Sequence, residues 1–304
     1  MKALVIGYGS IGARHARILS QRLGCDTAVL SGRDVDFPLV HHCLDEALVQ
    51  HAPDYVVIAN QTGLHHETLS LLALAGFAGR VLIEKPIFEI NRPIPAAAFQ
   101  YVAVAYNLRF HPLIRKLREL VAGLNILSVN AYVGQYLPTW RPTEDYRRSY
   151  SASRTKGGGV LRDLSHELDY LTWLFGEWKS MAALGGHFSS LEIDSEDLFV
   201  LLAQTPRCAA MTVQMSYLDR SATRRVIVNT PDHTIEINLI GGIISVDGEV
   251  EMISVEHDFS YVEMHQTYLY GNPSELCSFE EGLRVLEMID RAELASRTST
   301  WVAQ

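Results

Sequence analysis

The stretch ALVIGYGSIGARHARILSQRLG, residues 3–24, decides the fold of the first third of the chain. Ala3 to Ile6 is a short, unbroken apolar run, which is how a parallel strand buried on both faces reads. Gly7, Gly9 and Gly12 follow it in the pattern G-x-G-x-x-G, and a helix-forming segment follows them. In that setting each glycine has a physical task. The first makes a tight turn, the second lets a pyrophosphate approach the backbone, and the third lets helix and strand pack closely. The helix start, with Ser10 and Ile11, would turn its free N–H groups and positive dipole end toward the phosphates. A glycine pattern alone is weak; a strand before it and a helix after it supply the confirming context.

The reading extends outward from there. Thr27–Leu30 forms the second strand and ends in Ser31, Gly32, Arg33 and Asp34. An acid at this place holds the ribose 2′-hydroxyl of NAD, whereas NADP needs a cation for its 2′-phosphate. Ser31 and Arg33 favour NADP, and Asp34 and Asp36 leave NAD open. Tyr55 to Ala59 is a third buried run, with Asn60, Gln61 and Thr62 at its carboxyl end and His65 and His66 opening the next helix. Val81 to Ile83 repeats the logic and ends in Glu84-Lys85-Pro86. Ligands of doubly wound sheets gather at such carboxyl ends, so Asn60, Thr62, His65, Glu84, Lys85 and Pro86 join the cofactor candidates. A solvated Glu-Lys pair is the plainer reading of Glu84 and Lys85, but a proline fixing the backbone directly after a buried strand speaks against it.

The 304 residues are too many for one ordinary core and suit two domains. A net charge of −9, with no basic run longer than a pair, leaves out the basic face that nucleic acid or an anionic membrane requires. The expected partner is a small molecule. Cys25, Cys43, Cys208 and Cys277 are far apart and form no CxxC pattern or Cys/His cluster, so no metal is expected and reduced thiols in the cytoplasm are. The N-terminal apolar stretch is too short for a signal peptide. The longest later one, around Pro95 to Tyr106, is too short to span a bilayer.

The second informative stretch is GGGVLRDLSHELDYLTWLFG, residues 157–176. Projected as one helix from Val160 to Phe175, it groups Leu161, Leu164, Leu168, Leu171 and Phe175 on a core side and sets Asp163, His166 and Tyr170 on a flank. A helix-surface pair is the plain reading of Asp163 and His166; a flank lining a cleft is the functional one, and Asp169 reads as structural. Gly157 to Gly159 would let backbone or substrate come close. Elsewhere, Leu113 to Ala122 reads as a helix and residues 126–137 as a strand. Met211, Val213, Met215 and Tyr217 alternate with polar residues, as do Ile235, Ile237 and Leu239, which predicts a sheet with two unlike faces and antiparallel neighbours. Leu276 to Leu294 reads as a C-terminal helix.

GYGSIG, Glu84-Lys85-Pro86, YNLRFHP (Tyr106–Pro112) and the glycine-led Asp/His stretch, in that order, resemble the glucose–fructose oxidoreductase / inositol dehydrogenase (Gfo/Idh/MocA) family. The resemblance covers nearly the whole chain. It is specific in combination and not in any single motif. It implies a fold of α/β plus α+β class: a Rossmann domain over 1–108 and a domain over 109–304 with an open, mainly antiparallel sheet. The active site would lie between them, with the C-terminal helix, 274–295, packing back on the first domain. It implies that Lys85 lies by the nicotinamide and the substrate, that Asp163 and His166 are the family's aspartate and histidine, and that Asn107 and Arg109 border the substrate. It also implies a homodimer or homotetramer through the second sheet. WRPTEDYRRSYSASRTKGGG, residues 140–159, looks like the sub-group linked to sugars of bacterial surface polysaccharides. Two departures stand out. Asp163 and His166 are three apart where the family commonly has four, and the connection FEINRPIPAAAFQ, residues 88–100, is short, with Pro93 and Pro95 opposing a regular helix.

The chemistry implied is hydride transfer by a nicotinamide, with the protein managing the proton. His166 titrates nearest neutrality and is the first candidate acid/base, Lys85 would stabilise charge on the substrate oxygen or donate the proton itself if burial lowers its pKa, and Asp163 would orient His166 or bind a hydroxyl. Trp140, Tyr146 and Tyr150 could stack on a sugar face, and Arg141 and Arg147 could take a carboxylate or phosphate, so an acidic sugar or sugar nucleotide is expected. A contact loop between subunits is the plainer reading of these residues. Two alternatives remain: reduction of a non-sugar carbonyl or tetrapyrrole, and a non-catalytic dinucleotide-sensing regulator.

Overall fold

A computed structural model describes residues 1–95, 98–142 and 144–304. The chain order begins β1 (Lys2–Ile6), α1 (Ser10–Arg17), β2 (Asp26–Leu30), β3 (Val40–His41), α2 (Leu44–Gln50), β4 (Tyr55–Ile58), α3 (His65–Leu74), β5 (Arg80–Ile83) and β6 (Tyr101–Val104). It continues with α4 (Pro112–Leu120), β7 (Ile126–Gly134), α5 (Val160–Asp163), α6 (His166–Phe175), β8 (Ser180–Gly186), β9 (Leu198–Gln204), β10 (Cys208–Ser216) and β11 (Thr223–Asn229). Then come β12 (Thr234–Asn238), β13 (Ile243–Val246), β14 (Glu249–Met252), α7 (Phe259–Tyr270), β15 (Cys277–Ser278), α8 (Phe279–Thr298) and β16 (Val302–Ala303). Among the described residues no helix is long and apolar enough to cross a membrane.

Two compact units result, Met1–Phe110 with His257–Leu286, and His111–Glu256 with Glu287–Gln304. The first carries a seven-stranded sheet in the order β15-β6-β5-β4-β1-β2-β3. Strands β1 to β6 pair in parallel, and only β15 is antiparallel, on β6. The apolar runs read from the sequence are its centre: Ala3, Leu4, Val5, Val56, Val57, Ile58, Val81, Leu82 and Ile83 are fully buried. Between β5 and β6 no helix forms among the described residues, as Pro93 and Pro95 require; Ala96 and Ala97 lie outside the described residues.

The second unit carries a nine-stranded sheet in the order β14-β13-β12-β11-β7-β10-β9-β8-β16. It is antiparallel apart from the β7–β10 pair. The alternation expected for its strands is present: Met211, Val213 and Met215 are buried, while Thr212 and Gln214 between them are not. Strands β13 and β14 are joined by Asp247 and Gly248, both at positive φ, the geometry an Asp-Gly hairpin turn needs.

Two expected elements are corrected. The single helix over 160–175 is two helices. At Leu164 (φ −99°, ψ 24°) the chain leaves helical angles and α6 restarts at His166, so Asp163 closes one helix and His166 opens another. A projection at 100° per residue does not carry across that break, and Tyr170, expected on the flank, is fully buried. The C-terminal helix starts at Phe279 and runs to Thr298, because Cys277–Ser278 is spent as β15. The start is fixed by a capping box: Ser278 Oγ accepts the Glu281 N–H at 3.2 Å and Glu281 Oε2 accepts the Ser278 N–H at 2.7 Å.

Candidate functional site

In the first unit the glycine loop is built as the sequence suggests, with one informative difference between its glycines. Gly7 lies at φ +96°, and a Cβ there would come within 2.6 Å of the Asn60 backbone. A Cβ on Gly12 would come within 2.0 Å of the Gly7 carbonyl oxygen. Both are glycine because the chain's own packing demands it. Gly9 is different: a Cβ there would meet no atom within 4 Å. Gly9 is also the first residue before α1; no side chain caps the helix there, and its first turn holds no acid. The start of α1 is thus uncapped beside an open space, which fits a phosphate.

The carboxyl ends of the neighbouring strands add polar groups. Asn60 donates from Nδ2 to Thr68 Oγ1 at 2.8 Å, which leaves its Oδ1 buried with no partner and suited to a donor on a ligand. His65 is fully buried and faces the carbonyls of Pro86, Ile87 and Asn60; burial pulls its pKa down more than these carbonyls raise it. Thr62 opens a short turn before α3. Glu84 is buried, Lys85 is half-buried, and the Lys85–Pro86 peptide is cis. Ser31 is buried, and its hydroxyl is spent inside the turn, donating to the Arg33 carbonyl at 2.7 Å and accepting the Arg33 N–H at 3.2 Å. That weakens the NADP expectation, since only the exposed Arg33 guanidinium, 3.4 Å from the Tyr8 carbonyl, remains for a 2′-phosphate. Asn107 and Arg109 are buried as well. Asn107 donates to Ser260 Oγ at 2.7 Å, and Arg109 holds the Glu281 carboxylate at 3.1 Å and the Leu276 carbonyl at 3.3 Å. Both side chains therefore tie the segment 257–286 into the first unit.

In the second unit the buried Asp163 carboxylate is gripped on both oxygens. The Tyr150 hydroxyl donates to Oδ1 and the Tyr217 hydroxyl to Oδ2, each at 2.6 Å. Burial, and next the Asp163 charge, push both tyrosines well above their ordinary pKa, so both stay protonated donors. Tyr150 leaves 40% of its surface open although its hydroxyl end is buried. Trp140 meets the Tyr217 ring edge-on at 5.2 Å, and its Nε1–H is buried without a partner. His166 is half-buried at the start of α6. Of the other acids in the stretch, Glu167 is bound by Arg224 at 2.8 and 3.2 Å and by the Tyr170 hydroxyl at 3.1 Å, and Asp169 is buried. The close approach expected at the glycine run is made by the protein itself. A Cβ on Gly158 would strike the Tyr150 carbonyl, and one on Gly159, at φ +123°, the Glu196 carboxylate.

The preceding loop is braced by its own charges. Arg147 is held by Asp145 at 2.8 Å and Glu192 at 2.9 Å, and Tyr146 accepts the Glu192 N–H through its hydroxyl. Arg141 has Glu144 at 3.7 Å and is exposed. Sequence reasoning missed Tyr217, read only as the last inward position of its strand. A buried tyrosine hydroxyl needs a partner, and that was the available signal.

Residues 114–242 match the model of the GFO/IDH/MocA C-terminal domain. An uncharacterized oxidoreductase of Synechocystis is 30% identical over 201 residues, 59% of this chain. The match spans about half of that relative, 52% of its length. Among solved structures, GenD2 from gentamicin A biosynthesis in complex with NAD superposes with a TM-score of 0.82 at 21% identity, over 100% of this chain and 96% of its own. Levoglucosan dehydrogenase in complex with NADH and L-sorbose gives 0.83 at 15% identity, over 100% and 98%. Both structural likenesses concern the fold.

Proposed function

We propose, for a chain that belongs to the GFO/IDH/MocA family, an NAD(P)-dependent oxidoreductase acting on the hydroxyl or carbonyl of a sugar-type substrate. The observation that carries the reading is the open space over Gly9 at the uncapped start of α1, with the orphan Asn60 Oδ1 just past the end of β4, the strand paired with β1. When bound, a nicotinamide dinucleotide supplies the hydride donor or acceptor. The loop from Gly7 to Gly12 binds its pyrophosphate, and Asn60 takes a hydrogen bond from it. Lys85 stabilises negative charge on the substrate oxygen. In the oxidative direction the substrate carbon gives up a hydride and its hydroxyl a proton, which His166 takes; in reduction His166 returns it. Asp163 is a fixed charge rather than a swinging ligand. The Tyr150 and Tyr217 hydroxyls hold it in place, one on each oxygen.

The finer reading is an acidic sugar or sugar nucleotide, supported by the exposed Arg141 beside Trp140, and a role in surface polysaccharide biosynthesis, supported by the resemblance of residues 140–159. Arg147, already held by two carboxylates, supports it less. Leu184 and Leu202, exposed on β8 and β9, offer an apolar sheet face for a second copy of the chain. The four free cysteines fit a reducing, cytoplasmic setting.

Fluorescence titration with NADH and NADPH, on the wild type and Arg33→Ala, tests the cofactor; turnover on a panel of sugars and sugar nucleotides tests the reaction. NADPH binding weakened by Arg33→Ala assigns NADP, and indifference to it assigns NAD. Binding of neither refutes the reading. Binding with no turnover on any sugar or other carbonyl supports a dinucleotide-sensing protein instead.

A further inference from the structure

Four buried polar side chains of the first unit form a continuous chain that the proposed chemistry does not use. Tyr55, at the start of β4, meets His265 Nδ1 on α7 at 2.9 Å. His265 Nε2 meets His15 Nδ1 on α1 at 2.8 Å, and His15 Nε2 meets Glu84 Oε1 at 2.8 Å. The other carboxylate oxygen of Glu84 accepts the Lys85 backbone N–H at 3.0 Å. Tyr55, His15 and His265 are fully buried and Glu84 nearly so. The Tyr261 ring packs edge-on against His15, with the Arg14 guanidinium over that ring, and Tyr268 packs against Tyr55.

Hydrogen-bond accounting gives the chain a direction. Burial pushes the Tyr55 pKa well up, so its hydroxyl keeps its proton. Burial pushes the His265 pKa well down, so it carries one ring proton. An ionised Glu84 can only accept, so His15 must donate from Nε2. In a neutral His15, Nδ1 is then an acceptor, so His265 must donate to it from Nε2 and Tyr55 donates to His265 Nδ1. With both imidazoles neutral, each bond is satisfied in one sense only. The reverse sense requires a donor at the Glu84 position.

We infer that Tyr55, His265 and His15 form a one-way hydrogen-bond relay ending on Glu84, and that His15 is a positioning residue that holds this carboxylate and, through it, the backbone of Lys85. The step to Lys85 rests on the proposed function; the relay itself does not. It links the helix of the glycine fingerprint to the carboxyl end of β5, the two places where the dinucleotide and the substrate oxygen are proposed to be held.

The test is nitrogen-15 NMR of the full chain labelled at histidine. The wild type should show His15 and His265 both as neutral Nε2–H tautomers. In Glu84→Gln the amide oxygen stays on the Lys85 N–H, so its NH2 must point at His15. Both imidazoles should then switch to Nδ1–H, His265 two bonds away from the change. Tyr55→Phe should leave both as Nε2–H, because the carboxylate and not the phenol sets the direction. A doubly protonated His15 in the wild type, or a His265 that keeps its tautomer in Glu84→Gln, would overturn the relay. On whichever sugar the screen identifies, His15→Leu should lower kcat on the order of tenfold, the worth of one charged hydrogen bond, at unchanged NADH affinity. His15→Gln, which keeps a donor to Glu84, should recover it. Equal rates in the two variants would overturn the positioning role. Absence of all turnover would count against the oxidoreductase reading and leave the tautomer result standing.

Discussion

Replacing Gly9 by alanine separates what the fold needs from what a ligand needs. Its φ of −83° suits alanine, and the added Cβ meets nothing within 4 Å. Restricting the unfolded chain stabilises, and losing glycine at a helix N-cap destabilises by a similar amount, so stability should change by no more than about 0.5 kcal/mol. The methyl group would, however, occupy the space in front of the α1 N–H groups. Each hydrogen bond from such a group to a phosphate is worth about 1.5–3 kcal/mol. Losing one should raise the dinucleotide Kd roughly tenfold to a hundredfold. Urea unfolding of the free protein and NADH fluorescence titration read the two effects separately. Unchanged NADH affinity in Gly9→Ala refutes the assignment of this loop to the pyrophosphate. Marked destabilisation of the free protein refutes the claim that the space over Gly9 is open.

Three further outcomes are expected. Tyr217→Phe removes one of the two 2.6 Å bonds to the buried Asp163 carboxylate; urea unfolding should register a loss of about 1.5–3 kcal/mol with NADH affinity intact, and no loss would discount the grip. His111 is pushed down to about 4 by burial and next by the Arg224 charge, and its neutral Nδ1 accepts the Leu113 N–H that caps α4. The unfolded chain takes up that proton near pH 6.5 and the folded chain only near 4, so His111 withdraws roughly 3 kcal/mol of stability as pH falls through that window. His111→Asn keeps an acceptor at the cap without the proton and should flatten the slope of stability against pH; an unaltered slope would assign it to other groups. Arg141→Ala should raise KM for an acidic sugar and leave a neutral analogue unaffected, and identical kinetics on both would refute anionic recognition at that loop.

The parallel sheet was readable because its strands are unbroken apolar runs ending in glycine, asparagine or Glu84-Lys85-Pro86, each a local signal. The alternating strands of the second sheet were readable for the same reason. The break between Asp163 and His166 was not, because the leucine spacing on both sides suits one helix and nothing local marks Leu164 as the place where it stops. The missing residue of the Asp–His spacing was the hint. Ser278-Phe279-Glu280-Glu281 carried a readable capping box, but the apolar Leu276 drew the expected helix start three residues too early. The tyrosine grip on Asp163 and the pairing of His15 with His265 join residues 54 and 250 positions apart, and no pattern along one chain encodes such meetings. Asn107 and Arg109 were legible as important and not as to why, since what they hold arrives from residues beyond 257.

That late arrival bears on how the protein is made. A ribosome delivers β1 to β6 first, but the first unit is completed only by His257–Leu286. Synthesis of the intervening stretch takes on the order of ten to thirty seconds. Throughout that time the partner of His15 on α7, the Tyr268 and Leu269 carbonyls that receive Arg80, and the edge strand Cys277–Ser278 do not yet exist. The nascent N-terminal sheet must wait with one edge open, which makes it a natural client for chaperones. A product truncated before residue 257 should remain in that unfinished state.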